Sequence, residues 1–102
     1  MAKKHDEVRA MTDVELRFKA SELMGITDGA IPDYPNDIVA ALELVEKASA
    51  RFRFRLSLDR DSWNAEFGEF DMYDFYDVTP SGHKPLASRA ITRAFILAMD
   101  GS

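Results

Sequence analysis

The chain has no cysteine, which excludes disulfides, thiolate metal sites and a thiol nucleophile and accords with a cytoplasmic location. Histidine is nearly absent too. His5 lies in a polar opening segment and His83 in a Gly/Pro loop, and neither has a second His or a Cys near it in sequence, so no zinc set or catalytic triad is spelled out. No stretch approaches the roughly 20 apolar residues that cross a bilayer. The opening residues 1–7 lack the apolar centre of a secretory leader. Neither common glycine-rich phosphate cradle occurs. With these classes set aside, enzymatic activity has no positive support: the expectation is a protein that is not an enzyme, with no catalytic, cofactor-binding or metal-ligating residue to name.

What is present fits one small globular unit. A length of 102 residues is enough for a single modest core, and 46% apolar against 30% charged residues is the balance of a folded protein. The net charge of −5 is unevenly placed. Residues 59–77 hold Asp59, Asp61, Glu66, Glu69, Asp71, Asp74 and Asp77 against Arg60 alone, a net −6, so the remainder carries +1. Between Val78 and Met99 the charged residues are Lys84, Arg89 and Arg93, with no acid. Such segregation suggests docking, of two copies or onto a partner, more than general nucleic-acid affinity.

The clearest local pattern is residues 51–58, Arg-Phe-Arg-Phe-Arg-Leu-Ser-Leu, which alternates with period two. It predicts a strand with Phe52, Phe54, Leu56 and Leu58 on a dry face and Arg51, Arg53 and Arg55 on a basic one. Upstream, residues 1–10 show no apolar periodicity and are expected to be a flexible tail, with a single domain over 11–100. Thr12 and Glu15 have capping-box spacing and predict a helix over 13–24 stopped at Gly25. That helix has two apolar stripes, Leu16, Ala20, Leu23 and Met24 opposite Met11, Val14 and Phe18, which suggests a place between two layers or against another chain.

Pro32 and Pro35 make 25–36 a loop, with Tyr34 as its anchor to the core or the lid of a pocket. Asn36 is the expected N-cap of a helix over 37–49 that buries Ile38, Ala41, Leu42 and Val45. After the arginine strand, 59–62 reads as a hairpin turn, and Trp63, Ala65 and Phe67 alternate inward on a second strand. That places Glu66 cross-strand from Arg53 or Arg55. Gly68 suggests a bend, 72–78 a third strand, and Pro85 opens a last helix over 85–99 with a stripe of alanines. The order is α-α-β-β-β-α, an α+β fold with a small three-stranded antiparallel sheet. The helices of 37–49 and 85–99 are expected on the Phe52/Phe54 face, with the helix of 13–24 shielding part of the other.

Seven carboxylates in nineteen residues invite a metal reading, but Asp71, Asp74 and Asp77 recur every three residues and alternate faces on a strand, so they do not converge. Three uses of the charged residues stay open. Arg51, Arg53 and Arg55 are a surface that could track phosphates of a nucleic acid. Glu66, Glu69, Asp71, Asp74 and Asp77, with aromatics among them, could mimic a phosphate backbone and occupy a DNA-binding protein. Or acids and arginines pair with each other, within the chain or across a homodimer.

The segment Ile31-Pro32-Asp33-Tyr34-Pro35-Asn36-Asp37, leading into Ile38-Val39-Ala40-Ala41-Leu42, resembles the loop-plus-helix signature of the phage ABA sandwich domain family. The similarity continues through Trp63-Asn64-Ala65-Glu66-Phe67 and a closing Pro85-Leu86-Ala87 helix with Ala90-Ile91-Thr92-Arg93-Ala94. Asn36-Asp37 stands where that family has Ser/Thr-Asp, and 72–84 matches least. The resemblance implies an α-β-α sandwich from a phage or prophage, cytoplasmic in an infected or lysogenic bacterial host, with no activity or cofactor to carry over. The combined expectation is an accessory protein that acts as a protein-interaction module, a homodimer or the partner of a host or phage protein.

Overall fold

The computed structural model describes residues 2–26, 29–59, 62–68, 73–77 and 86–101. They form α1 (Ala2–Ala10), α2 (Asp13–Met24), α3 (Ile38–Ala48), β1 (Phe54–Asp59), β2 (Ser62–Phe67), β3 (Tyr73–Asp77) and α4 (Ala87–Gly101), an α+β fold. The segment expected as a tail is therefore a helix. Its sequence lacks an apolar stripe, but one residue, Val8, is fully buried and enters the core while α1 packs on α4. A single anchor of this kind leaves no periodic signal.

The start and stop signals around α2 act as their chemistry requires. The Thr12 hydroxyl accepts from the Glu15 N–H at 3.2 Å, and the Glu15 carboxylate accepts from the Thr12 N–H at 3.0 Å. Gly25 closes the helix at φ 80°, a left-handed conformation, and Ile26 N–H returns to the Ser21 carbonyl at 2.9 Å. At α3 the cap is one residue later than expected. Asp37, not Asn36, accepts from Val39 N–H at 3.0 Å, while the Asn36 amide is turned to the Asp33 carboxylate.

Helix α4 is the centre of the molecule. Ala90, Ile91, Thr92, Ala94, Phe95, Ile96 and Ala98 are all buried, a distribution that covers most of its circumference and leaves one side to Arg89, Arg93 and Asp100. It packs against β2 and β3 and also against α1, α2 and α3. Ala90, Ala94 and Ala98 are small and fully buried, and Phe95 meets the Phe67 ring edge-on at 6.4 Å on the sheet side. The helix of 13–24, expected over the arginine face, packs on α4 instead, and α3 also lies principally on α4 and not on the sheet. A helix buried on most of its sides can serve as the middle layer, so the sheet does not have to.

The sheet has strand order β1-β2-β3 with antiparallel pairing. Phe54 faces Phe67, Arg55 faces Glu66, Leu56 faces Ala65 and Leu58 faces Trp63 across β1 and β2. The strand begins at Phe54, later than the alternation suggests. Residues 51–52 are still tied to the end of α3, with both Arg51 and Phe52 N–H groups on the Ala48 carbonyl. At the other end of the hairpin Gly68, at φ 105°, donates to the Arg53 carbonyl at 2.8 Å and turns the chain out of β2.

Candidate functional site

Two surfaces stand out, one on the sheet and one on the helices. On the sheet, the arginine row is split by its own neighbour. Arg55 Nη2 donates to Glu66 Oε1 at 2.7 Å and to Oε2 at 2.9 Å, and Arg55 Nε donates to Oε1 at 3.2 Å. Asn64 Nδ2 adds a bond to Oε1 at 3.0 Å. Glu66 and Asn64 are both 6% exposed on the central strand, whereas Arg51, Arg53 and Arg55 are exposed. Cross-strand register explains the pairing, since Glu66 sits directly opposite Arg55. Arg51 carries its guanidinium carbon 5.2 Å from the centre of the Phe52 ring.

Of the carboxylates expected on this surface, Asp74 and Asp77 occupy β3 positions in register with Glu66 and Trp63. Glu69 and Asp71 lie outside the described residues, as do Arg60 and Asp61 of the hairpin turn and the loop of 78–85 with His83. Among the described residues no three His, Cys, Asp or Glu side chains group closely enough to hold a metal ion. No described helix is long and apolar enough to cross a membrane.

The apolar row of β1 is not fully covered. α4 packs on β2 and β3, so the edge strand overhangs it: Phe54 and Leu56 are half-buried and Leu58, expected inside, is 58% exposed.

The helical surface is the part that pattern reading missed. α3 was expected to bury Ile38, Ala41, Leu42 and Val45. It buries Ala40, Ala41, Leu44 and Ala48, leaves Val45 half-buried and exposes Ile38, Val39 and Leu42. At 100° per residue these two sets lie on opposite sides of the helix. The alanines on the inward side let α3 approach α4 closely, and the i, i+3, i+4, i+7 spacing of Ile38, Ala41, Leu42 and Val45 picked the wrong side. On α2 the second stripe is outside as well: Val14 is 62% and Phe18 54% exposed, although Met11 packs against the core.

Polar contacts hold these helices in place. Arg89 Nε and Nη2 on α4 donate to the two Asp13 carboxylate oxygens at 2.9 and 3.0 Å. The bonds from Arg89 keep the Asp13 carboxyl below its ordinary range, partial burial opposes them, and the Asn36 amide adds to the lowering. Lys19 reaches Asp100 at 3.6 Å near the far end of α4. Arg17 donates through Nε at 3.0 Å, and through Nη2, to the Ile31 carbonyl, which ties the loop to α2. Ser88 Oγ donates to the Pro35 carbonyl at 2.8 Å. Tyr34 is fully buried, so it anchors the loop. Burial, with Glu43 nearby, raises its phenol above the ordinary value, and its hydroxyl has no hydrogen-bond partner among the described residues.

Compared with family models, curated proteins and solved structures, the chain matches none of them.

Proposed function

We propose that this protein acts by binding another protein, and that the contact surface is the outward side of α2 and α3. The observation that carries this reading is the inverted order of α3: alanines face the core, and Ile38, Val39 and Leu42 face water. Covering a large aliphatic side chain contributes about 1.5–3 kcal/mol. Three such residues on one helix, with Val14 and Phe18 on the neighbouring helix, are a store of association energy that folding leaves unused. Glu15, Glu43 and Glu46 are exposed on the same two helices, and a polar surround is what a specific apolar interface carries at its rim.

The resemblance to the phage ABA sandwich domain supports a phage or prophage accessory role, non-enzymatic and cytoplasmic in the host. The nucleic-acid reading draws less support, because Glu66 neutralises Arg55 at the end of the arginine row. The same ion pair takes Glu66 out of any displayed row of carboxylates, which weakens the acidic-mimic reading.

The test is affinity capture from host lysate with the wild-type chain and with a Phe18→Asp/Val39→Asp variant of unchanged circular dichroism. A partner retained by the first and lost by the second supports the helical surface. Equal capture by both rules it out.

A further inference from the structure

We infer that a second copy of this chain docks on the outer edge of β1, joining two sheets into one antiparallel six-stranded sheet across a two-fold axis. This goes beyond the helical surface proposed above and stands whether or not that surface has a partner.

β1 is at the end of the strand order, and among the described residues β2 is the strand that pairs with it. Its outer backbone groups therefore form a template for another strand, a feature that folded proteins normally blunt. Here the edge is six residues long, carries no proline, and has an apolar row that α4 leaves partly open, with Leu58 the most exposed member.

The sequence of β1 is complementary to itself. Backbone groups that point away from β2 belong to alternate residues. When the same edge meets itself antiparallel, the facing positions must therefore add to an even number, and the two-fold passes through a residue and not between two. Three residues near the strand's middle are possible centres. Centring on Arg55 sets that arginine against its own copy, which like charge opposes. Centring on Ser57 sets Arg55 opposite Asp59, but Arg55 is already held by Glu66.

Centring on Leu56 sets Leu56 against Leu56, Phe54 opposite Leu58, Arg55 opposite Ser57 and Arg53 opposite Asp59. The exposed leucine gains an aromatic neighbour, and each exposed Arg53 faces the register position of an acid. No arginine faces an arginine. The Arg55–Glu66 pair stays within each copy.

Sedimentation equilibrium across protein and salt concentration tests this with the full chain. The wild type is expected to be a dimer at high micromolar concentration. Arg53→Asp and Leu58→Asp are each expected to weaken it by about tenfold or more. Position 58 is already exposed, so Leu58→Asp leaves the monomer folded by circular dichroism. Arg53→Asp/Asp59→Arg restores the dimer by exchanging the two charges, a recovery that a mere folding defect would not show. A wild-type chain that stays monomeric overturns the proposal. So does a dimer that survives both single substitutions, or one that is dissolved by Phe18→Asp/Val39→Asp and untouched by the β1 variants; that last result would move the dimer contact to the helices.

Discussion

Arg55 on β1 and Glu66 on β2 form a two-toothed ion pair in which the acid is buried on the central strand and the base lies at the surface. This asymmetry decides what each partner does for the fold. The Glu66 carboxylate has given up most of its hydration and needs its donors, Arg55 and the Asn64 amide. The Arg55 guanidinium keeps access to water and loses little if the acid goes.

Arg55→Ala should therefore cost more than its exposure suggests, about 1–2 kcal/mol, because it leaves a buried carboxylate short of donors. Replacing both residues, Arg55→Thr with Glu66→Val, should recover most of that loss. Urea unfolding of Arg55→Thr, Glu66→Val and the double variant measures the coupling, and strictly additive effects would show that the pair contributes nothing as a unit.

The Asp13–Arg89 pair links α2 to α4 and gives stability a pH dependence with a defined sign. Arg89 holds the folded-state pKa of Asp13 below the usual 3.8, so the contribution is complete above that value and is lost as pH falls through the lower folded value. Asp13 is partly exposed, which limits the effect to under about 1 kcal/mol. Asp13→Asn should flatten the acid limb of a stability-against-pH curve below about pH 4 and leave its slope between pH 6 and 8 unchanged. An identical acid limb in wild type and variant would remove this pair from the account.

Much of this architecture is legible from residue order alone, and the failures over which surfaces are buried share one cause. Capping chemistry is local, so Thr12, Glu15 and Gly25 mark α2 correctly, and Glu66 opposite Arg55 follows from counting back from a hairpin turn. Which side of a helix is buried is not local. α3 offers two apolar sides, and the choice was made by α4, the element on which it packs. The outward position of Leu58 follows from the same helix, because β1 lies beyond its reach. Val8 likewise has a neighbour only because α4 is there to receive it. A periodicity argument reads each element's own surface; it does not read the element that will cover it.

Gly25 tests how much of the α2 stop is conformational. Its φ of 80° is strained for any residue with a Cβ, while a Cβ placed there meets nothing within 4 Å. Gly25→Ala should then cost about 1 kcal/mol from backbone strain alone. Gly25→Asn should cost less, since asparagine enters the left-handed region more readily. Equal stability for all three chains in thermal unfolding would show that the helix ends without help from this conformation.

Tyr34 gives the sharpest contrast between a side chain's body and its polar tip. The ring is fully buried where the loop of 29–37 meets the core, and the neighbouring Pro35 carbonyl is fixed by Ser88. Yet the hydroxyl has no partner among the described residues, and an unsatisfied buried group of this kind costs about 1–3 kcal/mol. Tyr34→Phe keeps the packing and removes the orphan, so it should leave stability unchanged or raise it by up to about 1 kcal/mol. Tyr34→Ala removes the anchor and should cost about 3–5 kcal/mol. The pair of variants separates the two contributions in a single set of urea curves. A phenylalanine variant less stable than the wild type would mean that the hydroxyl makes a favourable bond, and the loop would then be held by a polar contact as well as by the ring.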